Sequence, residues 1–371
     1  AHEILNGVKK VLPCAEKSAK INSHQILRRK NLEEQTKDGA SSAPAKKHAK
    51  AITAIAVVAS VIVALGVFLM VWFLGDSYPD FDNRFRQETA IPALDEGFIP
   101  QGTGNYGDTQ FISGYMNDGS PSRIYVIENG ETTGYVTVSL GDDEIYAGHA
   151  CGVATNGSKF WLVSEGTVYV LRYTDVISAA GENGTVSLST SWDANCGADF
   201  CYYYSGYIYV GEFYRAGNYE TEEGHRLTTP AGDDNPAVIL RYSASQTTPT
   251  TPSRAFSIPG EIQGMAINEA GDRIILSQSY GLKNSHILVY SFSTSTTDYS
   301  TTALEINGKK VSRTYYLDSN NLVEDYEVPC MSEGMYSSGD RIYVLFESAS
   351  VKYRMFVREK LYHIYSFRVR T

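Results

Sequence analysis

Five residues at equivalent points of a repeated pattern carry much of the chemistry this chain offers: Gln101, Cys151, Phe200, Gln263 and Glu333. Each stands one residue before the first glycine of a repeat, or before its replacement. His149 and Asp199 lie nearby, and Glu212, Ser279, Tyr280 and Glu347 end the strand-like run that follows in their repeats. If the repeats close on one another, amides, carboxyls and an imidazole from distant positions meet around one concavity. Polar groups converging on a concavity make a binding site. Two chemistries compete there. Asp199, Glu333, Asn105 and Asn195 are hard oxygen donors suited to Ca²⁺, and His149 could act as a base beside such an ion. The same Gln and Glu side chains can instead bond neighbouring strand ends and do no more than hold the ring. Nothing matches Gly-x-Ser-x-Gly, a phosphate loop, paired metal-binding histidines or an EF-hand loop.

The elements that must position these residues recur. The first copy is Gln101-Gly102-Thr103-Gly104-Asn105-Tyr106-Gly107, followed by a β-rich run from Asp108 to Tyr115. The turn glycines Gly107, Gly157, Gly206, Gly271 and Gly339 are separated by 50, 49, 65 and 68 residues. In the third copy Cys201 replaces the first glycine. A third strand follows each hairpin, at Arg123–Glu128, Thr167–Tyr173, Ala237–Tyr242, His286–Phe292 and Tyr362–Val369. Weaker fourth strands are expected at Gly134–Ser139, Thr185–Ser191, Arg254–Ile258 and within Thr302–Leu317. Units of this period and strand content predict an all-β propeller, with five blades favoured and six as the alternative. The fifth unit lacks an outer strand, and Glu88–Phe98 could supply it and close the ring, which removes exposed sheet edges.

The formal net charge of −10 conceals an asymmetry. Residues 1–50 balance at +6 and contain no aromatic residue, which predicts a largely disordered, basic cytoplasmic tail. Residues 51–74 form a run of 24 without a charge, long enough to span a bilayer. Lys46, Lys47 and Lys50 precede the run and Trp72 lies near its far end. The positive-inside rule then puts the tail in the cytoplasm and the propeller outside. The run exceeds a signal-peptide core, and no Ala-x-Ala site follows it, so an uncleaved signal-anchor in the plasma membrane is expected. Residues 75–98 read as a stalk with the ring-closing strand, and 99–371 as the extracytoplasmic propeller. Residues 76–371 hold 21 basic and 37 acidic side chains, which argues against nucleic acid as a partner.

An oxidising exterior makes Cys151, Cys196, Cys201 and Cys330 disulfide candidates in any of three pairings, while Cys14 stays reduced. Tyr202, Tyr203 and Tyr204 could serve as a sugar platform or as packing between blades. The acidic excursion Tyr214–Pro236, with His225, could cover the channel mouth or remain a solvated loop. Asn156-Gly157-Ser158 and Asn183-Gly184-Thr185 fit the glycosylation pattern, but both Asn-Gly pairs are better read as turns.

Several segments resemble an uncharacterised group of bacterial secreted or surface-anchored β-propellers. They are Pro100-Gln101-Gly102, Gly148-His149-x-x-Gly152, Tyr209-Val210-Gly211-Glu212-Phe213, Gln263-Gly264 with Ser279-Tyr280-Gly281, and Met331-Ser332-Glu333-Gly334 with Tyr343–Ser348. Cys151 and Cys330 depart from that pattern. The resemblance implies a fold and a location and no mechanism. A looser similarity to gluconolactonase-like propellers implies a Ca²⁺ in the channel, but no ligand set maps onto this chain. The expectation is a surface-anchored module that binds a glycan, a peptide or an envelope protein. A Ca²⁺-dependent hydrolase or lactonase at the channel is the alternative, and a structural envelope protein is the third reading.

Overall fold

The computed structural model describes residues 56–67 and 77–370. Residues 56–67 are helical and exposed. Among the described residues no helix is long and apolar enough to cross a membrane. The tail 1–50 and the rest of the apolar run 51–74 lie outside the described residues, as does Cys14.

From Ser77 onward the chain forms one compact unit, a propeller of five blades whose inner strands neighbour one another in a closed ring. Blade I pairs Phe98–Tyr106, Thr109–Met116, Arg123–Glu128 and Glu131–Gly141, from channel to rim. Blade II uses Gly152–Thr155, Lys159–Ser164, Thr167–Arg172 and Thr190–Asp193, with an α-helix, Tyr173–Ala180, inserted before the last. Blade III uses Phe200–Tyr204, Tyr207–Gly211, Ala237–Ser243 and Arg254–Ile258. Blade IV uses Ile262–Ile267, Arg273–Gln278, Ser285–Ser291 and Leu322–Val328. Blade V takes Ser332–Ser338, Arg341–Phe346 and His363–Arg368, and its outer strand is Arg86–Ala90 from the start of the unit. The ring is therefore closed by pairing across the two ends of the chain. The closing strand lies at the beginning of the expected stretch, because Phe98 already opens blade I.

Two expected outer strands are placed differently. Thr185–Ser187 leaves blade II and lies parallel to Glu131–Gly141 of blade I. Thr314–Tyr316 joins blade III, parallel to Arg254–Ile258, while Leu322–Val328 completes blade IV. The alternation of exposed and buried positions in Leu322–Val328 suits an outer strand with one wet face.

All five turn glycines have positive φ, which explains their recurrence. The first glycine of each repeat has another cause. A Cβ on Gly102 would lie 2.6 Å from the Gly152 Cα, and one on Gly334 would lie 2.7 Å from the Thr103 amide nitrogen. Gly264 and Gly152 face the backbone of the next inner strand in the same way. In four of the five blades the inner strands crowd so closely that a side chain would collide at this level, and blade III alone accommodates one, Cys201.

The segment before the ring is also built in. Pro79–Arg84 is a short helix with proline in its first turn, where the missing N–H costs nothing. Phe81 packs on Phe346 and Tyr365, and Phe85 stacks on Phe367 with centroids 4.6 Å apart. Burying two such side chains contributes roughly 1.5–3 kcal/mol each, which fastens the closing strand to blade V.

Candidate functional site: the channel mouth

The inner strands of blades I, IV and V each carry a bulge. Pairing with the second strand skips from Pro100 to Gly102, from Ile262 to Gly264, and from Ser332 to Met335. The residues left out of the ladder include Gln101, Gln263 and Glu333. A bulge re-aims a side chain, and all three line a cavity of about 380 Å³ at the channel mouth. Ala150, Ala198, Glu261 and Met331 lead into the inner strands of blades II to V with positive φ. Non-glycine residues held there store strain on the order of 1 kcal/mol or more each, and such strain collects at functional sites.

Seven of the eight expected channel residues line this cavity: Gln101, His149, Asp199, Gln263, Tyr280, Glu333 and Glu347. At its floor Glu333 and Glu347 hydrogen-bond to each other. Gln101 Nε2 donates to Glu347 Oε2 at 2.8 Å, and Gln263 Nε2 to Glu333 Oε1 at 3.4 Å. Burial raises both carboxyls. Glu333 is pushed well above the ordinary range by burial and by the neighbouring Glu347 charge. Glu347 is pushed up by burial to about 8, against the opposing pull of Lys352, Gln101 and Glu333. Burial, with a smaller contribution from Glu212, raises Asp199 to about 7, although the Phe213 amide donates to its Oδ2 at 2.7 Å. Near pH 7 the Glu333–Glu347 pair therefore stays largely protonated while Asp199 is close to its midpoint, so the floor offers carboxylic acids and amides that both donate and accept.

The walls are aromatic. Tyr115 meets His149 edge-on, with ring centroids 4.9 Å apart, and accepts a hydrogen bond from Lys352 Nζ at 2.5 Å. Lys352 also stands over Tyr353 at 4.9 Å from its centroid. Across the mouth, Tyr280 carries the Arg215 guanidinium on its face at 3.7 Å, and Phe213 packs near both Tyr280 and Tyr219. Sequence reasoning missed Tyr115, Tyr219, Lys352 and Tyr353. Tyr115 was legible, since it ends a second strand as Tyr280 and Glu347 do. The others come from irregular loops with no repeat to mark them.

Glu212 is the exception. It is turned away from the mouth into a buried pair with His225, whose Nδ1 is 2.9 Å from Glu212 Oε1. Glu212 also accepts from the Val238 and Gly197 amides. Burial opposes the charged imidazole, but the hydrogen bond and charge of Glu212 outweigh it, and the His225 pKa lies above its ordinary value. The acidic excursion is thus pinned by its histidine rather than free in solvent, and it lends Tyr219 to the mouth wall. Glu212 borders a second cavity of about 340 Å³ on the flank, together with Asp193, Asn195, Glu220, Glu222 and Glu305.

The Ca²⁺ donors expected from sequence are dispersed. Asp199 and Glu333 share the mouth, Asn195 lies at the flank cavity, and Asn105 lines a third cavity with Tyr202, Tyr203 and Tyr336. Among the described residues no group of three or more His, Cys, Asp or Glu side chains is arranged to hold a metal ion. The disulfide candidates Cys151, Cys196 and Cys201 carry free thiols, and Cys330 is buried among Met331, Val357 and Tyr353. Cys151, at the mouth, lies 3.4 Å from the Ser164 hydroxyl, and burial raises its thiol pKa. The tyrosine triplet is packing: Tyr202 donates to the Ile267 carbonyl, Tyr203 stacks on Trp161, and Tyr204 reaches the Glu269 carbonyl.

No family model matches the chain, and no curated protein matches its sequence. Solved structures similar to it include a glutaminyl cyclase from Myxococcus xanthus, 11% identical with a TM-score of 0.39 over 77% of this chain and 94% of that one. A gluconolactonase from Xanthomonas campestris is 8% identical, with a TM-score of 0.33 over 79% and 94%. BamB from Moraxella catarrhalis is 7% identical, with a TM-score of 0.31 over 73% and 84%. Likeness this remote leaves the fold to rest on the strand pairing itself, which makes the chain a five-bladed β-propeller.

Proposed function

We propose that this propeller is a ligand-binding module at the cell surface, tethered by the apolar run 51–74 and binding through its channel mouth. The observation that carries the binding reading is the convergence of Gln101, Gln263 and Glu333, each on a bulged inner strand, with Glu347 on the floor of one aromatic-walled cavity. Three separate strands leave regular pairing to aim polar groups at one space, which a purely ring-stabilising role does not require. The near-neutral floor and the aromatic walls favour an uncharged, hydrogen-bonding guest: the ring of a glycan, or the amide backbone of a peptide. The uncharged run of 24 residues and the +6 balance before it support the tether and the outward placement of the ring.

The Ca²⁺-dependent hydrolase reading draws less support. It needs Asp199 and Glu333 as free carboxylates, whereas Glu333 is engaged with Glu347 and Asp199 with the Phe213 amide. The test is a thermal-shift panel of oligosaccharides and peptides on the ring from Ser77 onward, repeated with Tyr280→Ala. A compound that raises the melting temperature of the parent and not of the variant supports the reading. Stabilisation that survives the substitution argues against it. Protease added to intact cells tests the topology, since the ring is expected to be shaved.

A further inference from the structure

The rim of the channel mouth has a feature that ligand binding in the cavity does not use. Lys352 and Tyr353, which line the mouth, belong to a loop that continues through Arg354 to Met355 and Phe356, which are 85% and 67% exposed. On the neighbouring blade, Leu282 follows the lining residues Tyr280 and Gly281 and is 59% exposed. These are among the most exposed apolar side chains of the ring, and they share one face. Basic residues flank them. Residues 352–360 contain Lys352, Arg354, Arg358 and Lys360 against Glu359 alone, and Lys283 follows Leu282. Arg354 pairs with Asp95 and Arg358 approaches Glu359, while Lys283 and Lys360 are exposed. This local excess of positive charge stands out in a segment, 76–371, that balances at −16.

The start of the ring lies on the same face. The Tyr78 hydroxyl donates to Asn284 Oδ1 at 2.9 Å, two residues beyond Leu282. The uncharged run ends at Leu74, so only residues 75–77 separate it from Tyr78.

We propose that the mouth face docks on an anionic lipid surface, with Met355, Phe356 and Leu282 entering the interface and Lys283, Arg358 and Lys360 meeting headgroup phosphates. Apolar tips projecting beside basic side chains suit a soft interface, which needs no matching shape. A protein partner would call for a broad complementary patch of roughly 800 Å² per side, and these residues project as separate tips. The exposed tyrosine Tyr219, 56% accessible at the mouth, is of the kind enriched where water meets lipid. Docking in this way brings the mouth to ligands held in the plane of the membrane.

The inference goes beyond ligand binding and is tested without any ligand. The ring from Ser77 onward is a compact unit with its own core and its own closing strand, so it is used without the apolar run. It is sedimented with vesicles of phosphatidylcholine and phosphatidylglycerol in equal parts, and with vesicles of phosphatidylcholine alone. The expected result is binding to the mixed vesicles that falls with salt and is at least about tenfold weaker without the anionic lipid. Met355→Ser with Phe356→Ser, and separately Lys283→Glu with Lys360→Glu, should each weaken it by about tenfold or more. Val323→Ser, an exposed apolar site on the outer strand of blade IV, should leave it unchanged. All the substituted side chains are exposed, so the variants are expected to melt as the parent does. Failure to bind mixed vesicles, equal binding to both kinds, or binding that survives both rim variants would overturn the proposal. Such a failure would leave the thermal-shift result at the cavity untouched.

Discussion

Removing the charge from Glu347 should make the ring more stable in mild alkali. An ordinary glutamate titrates near 4.5, whereas the Glu347 carboxyl in the fold is pushed up to about 8. Below about pH 4.5 both the folded and unfolded chains hold this proton, and its stabilising contribution is complete. Between those values the unfolded chain releases the proton and the fold retains it, so rising pH favours unfolding. Above about pH 8 the contribution is gone. At about 1.4 kcal/mol for each tenfold change in proton affinity, the loss is on the order of 5 kcal/mol for this residue. Glu333 and Asp199 are raised too, and act in the same sense. Glu347→Gln keeps one carbonyl oxygen that can accept from Gln101 or Glu333 but cannot ionise. Urea denaturation of the ring from Ser77 onward, at intervals from pH 5 to 9, should show the parent losing several kcal/mol. The variant should lose markedly less and should exceed the parent at the alkaline end. A parent curve that is flat over this window, or a variant curve parallel to it, would refute the buried carboxyl pair.

Further outcomes follow from the packing. Gly334→Ala should cost about 1–3 kcal/mol or more, because its Cβ would meet the backbone of Thr103 and Gly102. Gly224→Ala, with open space around it, is the matched control for the same melts. Starting the chain at Ile91 removes the outer strand of blade V and bares the edge of His363–Arg368, so a broadened melt and aggregation are expected by light scattering. Where the imidazole is protonated, His225→Ala leaves Glu212 buried without its partner charge and should cost about 3–5 kcal/mol. Proteolysis should then cut first within residues 214–236. Stability contributed by the His225–Glu212 pair is complete below the ordinary histidine value and is lost as pH rises through the elevated one.

The ring was legible in the sequence because one steric requirement repeats. Gly102, Gly152, Gly264 and Gly334 are needed wherever inner strands crowd, and the positive-φ glycines mark each hairpin turn. Those two signals located the hairpins and, through the residue before each first glycine, most of the mouth. Outer strands were harder to assign. Thr185–Ser187 and Thr314–Tyr316 have strand composition, but which sheet they join depends on contacts across blades that no local pattern encodes. Glu212 shows a similar limit. Its position at the end of a second strand matches Glu347, yet it serves His225, from a loop 13 residues on. Lys352 and Tyr353 come from a loop without repeats and became visible only when the blades were assembled.

The most direct test of the central claim is an array of glycans and peptides probed with the labelled ring, in parallel with a variant combining Gln101→Ala, Gln263→Ala and Tyr280→Ala. The account predicts that ligands bound by the parent are lost in the variant, while a flank-cavity control, Glu305→Ala, binds as the parent does. The same spots bound by both the parent and the mouth variant, or none bound by the parent, would contradict it.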